Sequence, residues 1–264
     1  MEETVPKVEL RDIDLRYFTL DVETEAVCGF SLAVSPGEFV AIVGQSGCGK
    51  STLLSLIAGI LEPTAGDVLV NGLPVTGPSS KCGYMLQQDY LFEWRSILDN
   101  VLLGPEIQGH DRLAARERAE NLLRGYGLGD FMEHFPHQLS GGMRQRAALA
   151  RTLCTDPEIL LLDEPFSALD FQTRLALSDE VSDILRREGK TVILVTHDIS
   201  EAVSMADRVI VMTKRPGRVK AVHDITFDSG KSERPRPFAA RSRPEFQNYF
   251  DQIWGELEIH VGKR

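Results

Sequence analysis

Eight consecutive residues, Gly44, Gln45, Ser46, Gly47, Cys48, Gly49, Lys50 and Ser51, run in the pattern G-x-x-x-x-G-K-[ST], and Thr52 follows them. Glycines let such a loop turn tightly with its N–H groups pointing inward, and a helix starting there adds its positive end, so the loop is an anion cradle. Lys50 can then reach the β- and γ-phosphates of a nucleotide, and the Ser51 hydroxyl can ligate Mg²⁺. Cys48 reads as a small filler of the loop, not as a nucleophile. A second pair fits the same chemistry: an apolar run, 159–162, ends in Asp163 and Glu164. Asp163 would hold Mg²⁺ through water, and Glu164 would polarise the water that attacks the γ-phosphate. The plain alternatives are a chance glycine-rich turn and an acidic helix cap; the two motifs together weigh against both.

These groups need elements that hold them. The apolar run Phe39–Val43 predicts a buried parallel strand ahead of the loop, and residues 51–60 predict a helix behind it. Runs at 159–162, 191–195 and 209–212 predict three more buried strands. Carboxylates at the end of such a strand lie where ligands bind in open α/β sheets. Residues 112–124 and 141–153 predict amphipathic helices, the second with Ser140 as N-cap. Strands alternating with helices imply a mostly parallel sheet, with 94–153 forming a separate helix-rich lobe. The stretch from Lys214, with Pro216, Pro235, Pro237 and Pro244, reads as an appendage in which only 244–261 is helical.

The 264 residues suit one large α/β domain, or one with a small appendage. With 42% hydrophobic and 26% charged residues, wholesale disorder is excluded. A net charge of −10 makes general nucleic-acid binding a poor fit, because phosphate backbones need a basic surface. No apolar run approaches the ~20 residues of a membrane span. The acidic Met1-Glu2-Glu3 start lacks the order of a signal peptide, so a cytoplasmic location is expected. Cys28, Cys48, Cys82 and Cys154 are widely spaced, as in reduced structural cysteines.

Further residues carry a family resemblance. Leu139, Ser140, Gly141, Gly142, Met143, Arg144, Gln145 and Arg146, upstream of the Asp163–Glu164 pair, resemble the signature motif of ABC transporter ATP-binding subunits. In the family's order, Gln87 resembles the Q-loop glutamine, Ser167 to Asp170 the D-loop, and His197 the switch histidine. Each alone has an ordinary reading, as a helix start, a polar loop residue or a structural histidine. The resemblance spans 8–213 and implies a P-loop NTPase cassette: a RecA-like mixed sheet core, an antiparallel β subdomain and a helical lobe.

It also implies an ATPase that drives solute uptake. Lys50, Gln87, Glu164 and His197 would be catalytic; Ser51, Gln87 and Asp163 would hold Mg²⁺. ATP would be bound by residues 44–52, by Ser140, Gly141, Gly142 and Asp170, and by an aromatic stacked on adenine, Tyr17 or alternatively Phe18. Two cassettes would pair head to tail, the signature of one closing over ATP held by the other. The implied partners are a second cassette, integral membrane permease subunits and, indirectly, a solute-binding protein.

Within the family the resemblance is to nitrate, sulfonate and taurine importer cassettes. It rests on Leu91, Phe92, Glu93 and Trp94 after the Q-loop, on Arg215, Pro216, Gly217 and Arg218, and on Arg243 to Phe246 with Ile253 and Trp254. It makes Trp94 part of the groove for a permease coupling helix. Three departures stand out: Gln45 and Glu93 replace usual prolines, and Leu86 replaces a common Phe.

Overall fold

The computed structural model describes residues 5–18, 23–167, 169–228 and 234–257. In chain order the elements are β1 (Val8–Phe18), β2 (Glu23–Val34), β3 (Phe39–Val43), α1 (Lys50–Ile57), β4 (Ala65–Val70), β5 (Leu73–Pro74), β6 (Cys82–Met85), α2 (Ile97–Gln108), α3 (Arg112–Gly125), α4 (Gly141–Cys154), β7 (Ile159–Asp163), α5 (Phe171–Arg187), β8 (Thr191–Thr196), α6 (Ile199–Met205), β9 (Arg208–Met212), β10 (Val219–Asp224), α7 (Pro237–Ala240) and α8 (Pro244–Glu256). Six strands form the main sheet in the order β10-β9-β3-β8-β7-β6. All its pairs are parallel except the antiparallel edge between β9 and β10. A second, antiparallel sheet has the order β2-β1-β4-β5.

The apolar runs are continuous because both faces of the main sheet are covered. Phe39, Ala41 and Val43 of β3 enter one core, shared with α2, α4, α5 and α6, while Val40 and Ile42 enter the other, shared with α1, β1 and β2. In β7 and β8, Leu160, Leu162, Val192 and Leu194 join the first core, and Ile159, Leu161, Ile193 and Val195 the second. Strands buried on both faces lose the polar alternation of a half-exposed strand. The loops that follow β3, β6, β7 and β8 therefore converge at one end of a rigid sheet.

The helix-rich lobe comprises α2, α3 and α4, and Ser140 caps α4 by accepting a hydrogen bond from Met143 N. The chain after Lys214 differs from the sequence expectation. β10 extends the main sheet, and α8 buries Phe246, Ile253 and Leu257 in the first core. Every second residue of β10 is exposed and the others are half-buried, so it carries no apolar run. The expected helix 244–261 is seen to Glu256; its end, the 19–22 stretch after Phe18, and Ala168 of the D-loop lie outside the described residues. Among the described residues no helix is long and apolar enough to cross a membrane. All four cysteines are free.

Candidate functional site

The phosphate loop leaves β3 and enters α1 directly. Gly47 (φ 76°) and Gly49 (φ 106°) adopt left-handed backbone that other residues rarely take, which is how the loop curls around its own N–H groups. Lys50 is 6% exposed, and its ammonium donates to Gly44 O (2.9 Å) and Gln45 O (3.2 Å). Cys48 is buried beneath the loop, and burial pushes its thiol up, which suits a filler and not a nucleophile. Gln45 turns outward: its Nε2 donates to Leu257 O at 2.8 Å, tying the loop to the end of α8.

A cleft of about 470 Å³ opens over this loop. Its walls bring together Ser46, Gly47, Gly49, Lys50, Ser51 and Thr52 with Tyr17, Gln87, Glu164 and His197. Two residues outside the expected set, Ala26 and Arg215, complete the wall. Of the two candidate aromatics, Tyr17 is on the cleft, its hydroxyl sharing a hydrogen bond with Thr52 Oγ1 at 3.3 Å. Phe18 is 69% exposed and does not line it.

The Ser51 hydroxyl donates to Asp163 Oδ1 at 3.0 Å. Burial raises the Asp163 carboxyl above its ordinary range, with the Ser51 hydrogen bond opposing and the Glu164 charge adding. A hydroxyl and a carboxylate are hard oxygen donors, the type Mg²⁺ takes. Among the described residues no group of three or more His, Cys, Asp or Glu is gathered for a metal.

Glu164 is held from two sides. His197 Nδ1 lies 3.0 Å from its Oε2, and Gln87 Nε2 donates to the same oxygen at 3.2 Å. Its backbone is strained, with φ 47°, at a cost on the order of 1–3 kcal/mol. Glu164 N donates to Val195 O (2.8 Å), and the Ser167 hydroxyl donates to Glu164 O (3.0 Å). These bonds fix the turn that aims the carboxylate into the cleft. Behind His197, Asp198 caps α6 and pairs with Arg174 at 3.0 Å, and the Thr196 hydroxyl donates to Glu201 Oε2 at 2.7 Å. Glu201 is 2% exposed, and burial raises its carboxyl to about 7.

Ser140, Gly141, Gly142 and Asp170 are not on the cleft. They form a separate patch: a Cβ on Gly142 would lie 3.3 Å from Leu169 Cδ2 and 3.4 Å from Thr173 Cγ2, and Asp170 caps α5. Hydrogen bonds from Thr173 hold the Asp170 carboxyl below its usual range. Ties between α4 and the Q-loop appear only in the fold. Arg144 pairs with Asp89 at 3.1 Å, and Arg151 donates to Tyr90 O (2.8 Å) and Asp89 O (2.6 Å). Arginines on a helix read as a solvated face, so no sequence signal marked them. Trp94 is 74% exposed and stacks on Phe92 with centroids 4.8 Å apart. A cavity of about 440 Å³ between α3 and α5 has neither a glycine loop nor a carboxylate pair, and both signs of charge line it.

Residues 27–167 match the protein family described as ABC transporter. The chain is 47% identical over 241 residues to YtlC of Bacillus subtilis (strain 168), an uncharacterized ABC transporter ATP-binding protein, covering 91% of this chain and 92% of the relative. It is 41% identical over 245 residues to the taurine import ATP-binding protein TauB of Roseobacter denitrificans, covering 90% and 91%. Among solved structures it is similar to the dimeric ATP-binding cassette MJ0796 in a post-hydrolysis state bound to ADP and Pi. That likeness has a TM-score of 0.75 and 32% identity, and covers 83% of this chain and 99% of the other.

Proposed function

We propose, from the premise that this chain belongs to the ABC transporter family and is its ATP-hydrolysing subunit, that it powers an importer for a small solute of the nitrate, sulfonate, taurine or bicarbonate kind. The reading rests on one observation: Lys50, Ser51 and the Glu164–His197 pair line a single cleft, with Asp163 hydrogen-bonded to Ser51. Relatives named for taurine import support the solute class.

Lys50 and the loop N–H groups bind the phosphates, and Tyr17 receives the adenine. Ser51, Asp163 and the amide oxygen of Gln87 hold Mg²⁺, which when bound offsets charge on the phosphates. Glu164 accepts a proton from the attacking water. As the water oxygen bonds to the γ-phosphorus, the bond from that phosphorus to the bridging oxygen breaks, leaving ADP and inorganic phosphate. His197, beside Glu164, keeps the carboxylate aimed. The signature patch and Asp170 then serve the cleft of a second copy. Support for that pairing comes from their separation from the cleft of their own chain and from the dimeric state of a structural relative.

Residues 1–213 carry the cassette motifs, with the helical lobe at about 94–153, and the described part of 214–264 adds β10 to the main sheet and α8 to the first core. The exposed Phe92–Trp94 stack is suited to a permease helix, which would hold the chain on the cytoplasmic face of the membrane; a solute-binding protein would act only through that permease. The net charge of −10 argues against a nucleic-acid partner. Two assays test the reading: phosphate release from ATP and Mg²⁺ by the purified chain, and co-purification with an integral membrane partner. Trp94→Ala is expected to spare the isolated ATPase and reduce that assembly. Absence of both phosphate release and a membrane partner would contradict the reading.

A further inference from the structure

The turn between β9 and β10 is built against the phosphate loop. Gly217 N donates to Ala26 O at 2.9 Å, and Cys28 N donates to Gly217 O at 3.0 Å. Within the turn, the Thr213 hydroxyl donates to Pro216 O at 2.9 Å and accepts from Arg218 N at 2.9 Å. A Cβ at Gly217 would fall 2.6 Å from Met212 Cε and closer still to the Cys48 carbonyl oxygen, so only glycine lets the turn approach this near. The turn is therefore a firm base, fixed to β2 and to the floor of the cleft.

From that base Arg215 reaches over Gly47. Its Nε donates to Gly47 O at 3.1 Å, and the side chain lies on the cleft wall. Nη2 is 3.7 Å from where a Gly47 Cβ would stand. Among the described residues neither Nη1 nor Nη2 has a hydrogen-bond or ion-pair partner. Lys50 and Arg215 are the two Lys or Arg side chains on the wall. They differ in setting: Lys50 is buried within the loop, whereas Arg215 is exposed at the mouth. One edge of the guanidinium is thus anchored to the loop backbone, and the remaining N–H groups are left over. A fork so oriented matches phosphate oxygens, and it concentrates positive potential at the mouth of a cleft in a chain of net charge −10.

We propose that Arg215 binds the phosphate chain of the nucleotide held in its own cleft, so that the C-terminal turn supplies a cation to the site alongside Lys50. The proposal rests on the reading of this cleft as the ATP site. Its test is calorimetric titration of the full chain with ATP, ADP and adenosine. Arg215→Gln keeps an N–H donor for Gly47 O and removes the charge; Arg215→Lys keeps the charge. Arg215→Gln is expected to weaken ATP binding about tenfold, ADP less and adenosine not at all, with the thermal midpoint of the free chain unchanged. Arg215→Lys is expected to bind ATP distinctly better than Arg215→Gln. ATP affinity of Arg215→Gln within twofold of the parent chain overturns the proposal. So does an equal loss for ATP and adenosine, which is the mark of a brace for Gly47, and so does a Lys variant no better than Gln. Failure of the parent chain itself to bind ATP is a different result, and it rejects the reading of the cleft.

Discussion

Two helix starts in this chain are built to receive anions, and they keep different company. The start of α1 opens onto a cleft with a buried lysine, a serine hydroxyl bonded to Asp163 and a carboxylate between His197 and Gln87. The start of α4 has its N-cap Ser140 exposed, with Leu169, Thr173 and the capping Asp170 as its surroundings, and it does not line that cleft. The first region can bind and cut a phosphate anhydride. The second can only present N–H groups and a hydroxyl to something brought to it. On the proposed pairing, a chain that carries both, turned to different places, would supply half of a site twice over.

That contrast can be broken at its strong end first. Lys50→Ala removes the buried ammonium and is expected to weaken ATP binding roughly a hundredfold or more by calorimetry; unchanged affinity would mean that the loop is not the phosphate site. Glu164→Gln is expected to leave ATP affinity within a few-fold and slow phosphate release by about 10²–10⁴; release at the parent rate would remove the carboxylate from the chemistry. At the other region, Ser140→Ala is expected to leave ATP binding by the single chain intact, lower turnover roughly tenfold and cost about 1 kcal/mol of stability from the lost cap. Weaker binding to the isolated chain with turnover preserved would reverse the roles given to the two regions.

An effect on stability alone, with no change expected in the chemistry, lies behind His197. The Glu201 carboxyl sits at about 7 in the fold because burial disfavours its charge, against an ordinary value of 4.5. The folded chain then holds the proton more tightly than the unfolded one. That contribution to stability is present in full below about pH 4.5 and is lost as pH rises to about 7. Glu201→Gln is expected to flatten the stability profile in this window by up to about 3 kcal/mol, read from denaturant melts at stepped pH. An unchanged slope would show that Glu201 does not titrate there.

The cleft was legible because its chemistry is local. The phosphate loop is eight contiguous residues, and Asp163 and Glu164 end a run whose strand is buried on both faces. Ser140 as the cap of α4 was readable for the same reason. The rest depends on chain folding back from far away. Arg215 meets Gly47 across 168 residues, and Gln45 meets Leu257 across 212, with no periodicity to announce either. β10 escaped notice because an edge strand with half its side chains exposed has no apolar run. The departure at Gln45 gains a physical meaning only in the fold, where the amide bonds the end of α8.

On the proposed pairing, ATP joins two copies, each closing its signature patch over the other's cleft. Sedimentation velocity of Glu164→Gln, with and without ATP, reads that pairing, because the variant is expected to bind ATP and to cut it slowly. A monomer is expected without nucleotide, a dimer with ATP, and a return to monomer when Ser140→Ala is added to the same chain. A Glu164→Gln chain that remains monomeric at saturating ATP, or that pairs equally well without it, would refute nucleotide-driven pairing.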